Sequence, residues 1–173
     1  EETLLLDEEE LKGQIMAAAP LNGGSAMALL NLLDGGYVLH KVDSEGKEIF
    51  TKEFQNIPIT SEATRYDFIT DNQDRGYLRT YNEIILFDEK GEIAGNIDVK
   101  GKGINKIVCG GDGKVYIYEY MVNQLIPIDF ETKSLGTGYT VPIPSLRAVA
   151  ATEQADFIIC DNTTVYEYNC GEG

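Results

Sequence analysis

The chain has 173 residues, room for one ordinary domain and scarcely for two. Apolar residues make up 43% and charged residues 25%, which excludes a disordered tail. A membrane-spanning helix is excluded too, because no apolar stretch approaches the roughly 20 residues that one needs. The 29 acidic residues outnumber 14 basic ones for a net charge of -15, the wrong sign for a nucleic-acid surface. The acids are dispersed, with Asp7-Glu8-Glu9-Glu10 the one short run, as on a surface that resists self-association.

Residues 1–12 read as an N-terminal strand, centred on Thr3–Asp7, or as a short helix. A helix through Leu4–Ala19 competes with a strand over the later part of this stretch, since Gln14, Met16 and Ala17 are good helix formers and Pro20 would end it. From Gly13 onward, short apolar runs alternate with turn residues. The first unit, residues 13–54, reads as strands Gly13–Leu21, Ser25–Leu33, Gly36–Val42 and Lys47–Phe54, with turns at Asn22-Gly23-Gly24 and Asp34-Gly35. His40, the single histidine, would need a nucleophile or carboxylate in reach to act as a base, and inside this apolar strand it reads as structural.

The second unit, residues 65–99, runs Arg65–Thr70, Gly76–Tyr81, Glu83–Phe87 and Glu92–Val99. Its loop Asp71-Asn72-Gln73-Asp74-Arg75-Gly76 sets acids near a glycine, as calcium loops do. Asn82, however, stands where an EF-hand has its bidentate Glu, and no helical pattern flanks the loop. What stays open is a looser calcium site assembled from several turns. Between the second and third units, Lys100, Lys102 and Lys106 around Gly101 and Gly103 form the one basic cluster, which reads as a solvated turn.

The third unit, residues 104–141, comprises Ile104–Cys109, Lys114–Tyr120, Gln124–Ile128 and Gly136–Val141. Gly110-Gly111-Asp112-Gly113-Lys114 ends in Gly-Lys like a phosphate loop. Val108 occupies the place of that motif's first glycine and Val115 that of its Ser or Thr, so the segment reads as a hairpin turn. Tyr116, Tyr118 and Tyr120 alternate, as do Tyr166 and Tyr168, which puts each set of rings on one face of a strand. Core packing is the reading, with a stacking surface for a sugar or peptide as the alternative.

The fourth unit, residues 146–170, supplies three strands, Leu146–Ala151, Asp156–Cys160 and Thr164–Tyr168, with a turn at Glu153-Gln154-Ala155 after the first. Cys109 and Cys160 sit in apolar runs as small hydrophobes. With Cys170 they form an odd set without a CxxC or a histidine at ligand spacing. Zinc is disfavoured, and one disulfide of unassigned pairing stays open.

These units repeat. Val42-Asp43-Ser44-Glu45-Gly46-Lys47, Phe87-Asp88-Glu89-Lys90-Gly91-Glu92, Ile128-Asp129-Phe130-Glu131-Thr132-Lys133 and Tyr168-Asn169-Cys170-Gly171-Glu172 share an apolar strand, an Asp or Asn and a polar turn. The steps between them are 45, 41 and 40 residues. Four antiparallel strands per about 40 residues is the unit of a β-propeller blade. The expected fold is therefore all-β, a single propeller domain of about four four-stranded antiparallel blades. Because the fourth blade lacks its outer strand, the chain is expected to be the first part of a larger propeller, in preference to a four-bladed ring closed by Thr3–Asp7. The same open blade edge offers a route to self-association.

The turns resemble those of quinoprotein-like and NHL-like propeller repeats. Asp129-Phe130-Glu131-Thr132-Lys133 in particular is similar to the Asp-x-x-Thr-Gly turn of the quinoprotein class, with Lys133 in place of Gly. The tryptophan of that class is absent, so quinone binding is not implied, and no Trp-Asp or Gly-His pair marks a true WD repeat. The chain resembles the propeller region of secreted or lipid-anchored proteins of Gram-positive bacteria, some of which carry a transporter solute-binding domain. The resemblance implies an extracellular or cell-surface place and carries no catalytic residue across. The start Glu1-Glu2-Thr3 is that of a processed secretory protein or a trimmed chain.

The expected function is a non-catalytic binding or scaffolding module that presents loops to a small glycan, a peptide or a partner domain, in association with solute uptake. A propeller glycosidase or lyase using clustered acids and a sensor ectodomain are the alternatives. The sequence singles out no catalytic, cofactor-binding or metal-ligating residue and calls for no cofactor beyond the loose calcium site.

Overall fold

A computed structural model describes residues 13–33, 35–55, 57, 67–143, 146–151 and 156–170. The described residues form antiparallel meanders in which, within each sheet, each strand pairs with the next in sequence, except that β12 and β13 both pair with β11. The first sheet consists of β1 (Gly13–Pro20), β2 (Ala26–Leu32), β3 (Tyr37–Val42) and β4 (Glu48–Phe54). The second consists of β5 (Asp67–Thr70), β6 (Gly76–Arg79), β7 (Glu83–Phe87) and β8 (Ile93–Asp98). The third holds β9 (Ile104–Cys109), β10 (Val115–Glu119), β11 (Gln124–Asp129), β12 (Ser134–Leu135) and β13 (Tyr139–Thr140), and the fourth β14 (Ala148–Ala150), β15 (Phe157–Cys160) and β16 (Val165–Tyr168). Among the described residues no helix is long and apolar enough to cross a membrane.

Two sequence expectations need correction. The helix competing for Leu4–Ala19 gives way to a strand over its described part, because β1 pairs with β2 from Gly13↔Leu32 to Pro20↔Ala26. Intrinsic helix propensity is worth only tenths of a kcal/mol per residue, and a ladder of seven pairs, interrupted only by a bulge at Met16, overrides it. The Thr3–Asp7 run and the turn at 153–155 lie outside the described residues. The outer strand expected at Gly136–Val141 is instead split. β12 pairs with β11 at Ile128↔Leu135 and Asp129↔Ser134, and β13 pairs with it at Gln124↔Thr140 and Leu125↔Tyr139. Three residues, 136 to 138, thus oppose two, Ile126 and Pro127, which makes a β-bulge. Pro127 has no N–H to give to the ladder, and its carbonyl accepts the Gly136 N–H at 2.8 Å. A Cβ at Gly138 would stand 2.5 Å from Gln124 Oε1, so a larger residue there would require the Gln124 side chain to shift.

The chain packs as two compact units, Glu1–Gly95 and Asn96–Gly173. In the first, Met27, Leu29 and Leu39 pack with Phe68, Leu78, Ile85 and Phe87, so one face of the first sheet meets the second. Phe87 receives Phe54 and Phe68 edge-on, with ring centroids 5.8 and 6.2 Å away. In the second unit, Tyr116, Tyr118 and Leu125 pack with Phe157 and Ile159, and the Tyr116 and Phe157 rings meet at 5.0 Å. Every residue of β10 is buried, the mark of a central strand covered on both faces, whereas outer β4 alternates exposed and half-buried positions. Each large apolar side chain so buried contributes about 1.5–3 kcal/mol.

Asp43 and Asp88 close their hairpins by one device. Asp43 Oδ1 accepts the N–H groups of Glu45 and Lys47, and Asp88 Oδ1 those of Lys90 and Glu92, all between 2.8 and 3.0 Å. The fourth residue of each turn adopts the left-handed conformation, at φ 81° for Gly46 and 77° for Gly91. Asp71 builds the same turn, with Asp74 at φ 60° in the glycine position.

Candidate functional site

A meander places its first and third turns at one end of each sheet and its second turn at the other. The two ends differ in chemistry. At the first-turn end of the N-terminal unit, the Asp71 carboxylate, 1% exposed, accepts the Gln73 and Arg75 N–H groups, Arg75 Nε at 2.7 Å and the Tyr77 hydroxyl at 2.8 Å. Burial, with the Asp71 carboxylate adding to it, pushes the Tyr77 phenol far above its ordinary value. Asp74 Oδ1 accepts from both the backbone and the side-chain nitrogen of Asn22, at 3.2 and 3.3 Å, and Asp74 Oδ2 accepts from Lys41 Nζ at 3.2 Å. Asn22 Nδ2 also reaches the Asn72 carbonyl at 3.0 Å. The first turns of the two sheets are thereby laced together. The two acids that drew attention as a calcium loop are engaged by protein donors, and among the described residues no group of three or more His, Cys, Asp or Glu could hold a metal ion.

The C-terminal unit repeats this arrangement. Asp112 Oδ2 accepts from Tyr116 at 2.8 Å and Lys114 Nζ at 2.9 Å, and the Gly111 N–H bonds the Asp156 carbonyl at 2.9 Å. Burial alone would raise the Asp112 carboxyl; the Lys114 and Tyr116 hydrogen bonds outweigh it and hold the group below its ordinary value. Gly110–Lys114 is the hairpin the sequence suggested, closed by Gly110 N–H to the Lys114 carbonyl at 2.7 Å. Cys109, Cys160 and Cys170 are not joined to one another by a disulfide. Burial, with Asp156 and Asp112 adding to it, pushes Cys170 up to about 11, the opposite of an activated nucleophile.

His40 is buried in β3, with Nδ1 2.6 Å from Thr51 Oγ1, and Thr51 donates in turn to Glu48 Oε2 at 2.9 Å. Burial lowers its pKa, opposed in part by Glu48, so the ring is a neutral side chain tied to β4. The tyrosine rows divide. Tyr116 and Tyr118 lie in the core and Tyr168 packs against it, donating to the Thr140 carbonyl at 2.9 Å, but Tyr120 and Tyr166 do not join them.

Among the described residues, exposed apolar side chains stand at both ends, with Ile49 and Ile93 at the first-turn end, but the most exposed lie at the second-turn end. In the N-terminal unit these are Leu33 and Tyr81, 89% and 76% exposed. In the C-terminal unit the turn from β10 to β11 exposes Tyr120, Met121 and Val122, between 51% and 67%, and β16 exposes Val165 and Tyr166. Alternation alone placed Tyr120 with the core. The chain leaves the strand after Glu119, and the Tyr120 N–H turns to the Gly103 carbonyl at 2.9 Å. Asn123 fixes this turn. At φ 54° it accepts the Tyr118 hydroxyl at 2.7 Å and donates to the Val141 and Ile143 carbonyls, each at 2.9 Å. The signal in the sequence is a run of three apolar residues where a hairpin turn is ordinarily polar.

No family model matches the chain, and no curated protein does. Solved structures do. Virginiamycin B lyase from Staphylococcus aureus, a catalytically inactive form with quinupristin, is 13% identical over 99% of this chain and 74% of its own, with a TM-score of 0.50. AztD from Citrobacter koseri in its apo form is 15% identical over 92% of this chain and 48% of its own, with a TM-score of 0.58. The Cps50 (Swd1) β-propeller domain from Myceliophteria thermophila is 12% identical over 94% and 53%, with a TM-score of 0.54. The chain thus spans about half the length of the latter two. Likeness at this level shows the fold, and the antiparallel sheets are β-propeller blades.

Proposed function

We propose that the chain is a non-catalytic binding or scaffolding module of an extracellular or cell-surface protein, whose contacts are made by the second turns of its blades. The observation that carries this is the Tyr120-Met121-Val122 turn, apolar and exposed yet anchored by three side-chain hydrogen bonds of Asn123. An exposed aromatic and methionine cluster on a fixed frame is the composition of an interface centre. A peptide or partner domain suits it better than a glycan, since no tryptophan is available for sugar stacking. The Asp71 and Asp112 carboxylates at the opposite end are occupied by internal donors, which favours recognition over acid-base chemistry at those two groups. A lyase and propellers that are not described as enzymes share the fold, so the reading rests on the site alone. The place outside the cell and the association with solute uptake rest on the resemblance of the repeats.

Amide chemical-shift mapping against a panel of short peptides and a panel of mono- and disaccharides tests it. Shifts gathered at Leu33, Tyr81 and Tyr120–Val122 are expected. Shifts gathered instead at Asp71–Arg75 and Gly110–Lys114 would sink the proposal.

A further inference from the structure

The basic cluster and the most apolar turn, about twenty residues apart in sequence, are neighbours in the C-terminal unit. A Cβ at Gly103 would stand 2.6 Å from Met121 Cγ and 2.7 Å from Tyr120 Cε1, so both side chains lie directly over the lysine-bearing turn. Lys102 Nζ approaches Glu119 Oε2 at 3.3 Å, and the Glu119 carboxylate is only 10% exposed, so that acid presents little free charge. Lys100 is exposed, and its backbone N–H is taken by Asp98 Oδ1 at 2.8 Å. Lys106 follows on β9. Lys102 is offset by Glu119, and Lys100 and Lys106 against Asp98 leave one net positive charge here on a molecule of charge -15.

From this juxtaposition we infer that the Tyr120–Val122 turn and the adjoining Lys100 and Lys102 form a docking surface for a short acidic peptide segment of a partner protein, with apolar residues flanking its carboxylates. The inference rests on the second turns being the recognition end. Charge complementarity selects the acidic partner. Screening selects a short one, because at physiological salt a charge feels little beyond about 8 Å. A segment with two carboxylates meets the local lysines, whereas an extended polyanion or an anionic membrane also meets the surrounding acids. Tyr120 and Met121 supply the apolar contact, and methionine adapts to side chains of varied shape.

Fluorescence anisotropy tests this with three labelled octapeptides. The first carries two Asp flanked by Leu and Phe, the second has Lys in place of Asp, and the third has Ser in place of Leu and Phe. The first should bind at least about tenfold more tightly than the others, weaken with salt, and lose about tenfold in Met121→Ser and in Lys100→Glu. These positions are exposed, and circular dichroism should show both variants folded. Equal binding of the lysine peptide would overturn the inference. So would phosphatidylserine vesicles bound in preference to the peptide and released by the same variants, which would mark a membrane surface. Binding lost in Tyr81→Ser but kept in Met121→Ser would overturn this docking site and leave the broader reading standing. Binding unchanged in Leu33→Ser, Tyr81→Ser and Met121→Ser alike would overturn both.

Discussion

Tyr77 donates its phenolic hydrogen to Asp71 Oδ2 at 2.8 Å, and Tyr116 donates to Asp112 Oδ2 at the same distance. Each tyrosine is the second residue of its blade's second strand and is capped by an aspartate of the preceding turn. Each is almost wholly buried, so the hydroxyl replaces water as the partner of a turn carboxylate. Burial and then the neighbouring carboxylate raise both phenols well above their ordinary value.

A raised tyrosine pKa means that the neutral form is favoured in the fold. Its stabilising effect is complete below the ordinary value near 10 and is lost as pH rises above it. Ultraviolet titration of the native protein should leave Tyr77 and Tyr116 protonated until the protein unfolds. Tyr77→Phe should cost about 1.5 kcal/mol in urea unfolding at neutral pH and make the alkaline loss of stability shallower. An alkaline profile unchanged in the Tyr77→Phe, Tyr116→Phe double variant would contradict this.

Asp74 sets two effects against each other. Glycine at its φ of 60° would relieve about 1 kcal/mol of backbone strain, as Gly46 and Gly91 do in the matching turns. The same change removes both Asn22 bonds and leaves Lys41, whose side chain is 10% exposed, without its carboxylate. Those losses sum to about 3 kcal/mol, so Asp74→Gly should destabilise by about 2 kcal/mol. Asp74→Asn, which keeps the Oδ1 acceptor, should cost less. Urea midpoints at constant slope decide the order.

Asn123 supports the apolar turn by three side-chain hydrogen bonds. Asn123→Ala leaves the Val141 and Ile143 carbonyls and the Tyr118 hydroxyl without it and forces alanine into the left-handed region. A loss of about 3 kcal/mol is expected. Amide exchange at Tyr120–Gln124 should accelerate more than exchange in β6, whose unit does not contain this turn.

His40 titrates below its ordinary value because burial outweighs the attraction of Glu48. Below about 6.5 the unfolded chain therefore binds a proton that the folded chain resists, so stability falls as pH drops through the folded value. His40→Gln, which can retain the Thr51 hydrogen bond, should remove that part of the acid loss. Parallel stability curves for the two proteins between pH 7 and pH 5 would refute it.

What the sequence determined by itself was the local grammar. Apolar alternation located the strands to within a residue or two, and the spacing of Asp43, Asp88 and Asp129 identified the blade repeat, because pleat period and hairpin turns depend on residues only a few positions apart. Tertiary structure decided what needed partners from afar. It made β1 a strand against the helix propensity of Gln14–Ala19, since that strand's ladder to β2 supplies what isolated propensity cannot weigh. It broke the outer strand at Gly136–Gly138 opposite Pro127. It joined Asn22 to Asp74 across 52 residues, converting an apparent calcium loop into a tie between blades. It also carried Tyr120 out of the core and over Gly103, beside the lysines. A side chain's neighbours are set by how sheets stack, and stacking brings together residues whose separation in sequence holds no periodic signal.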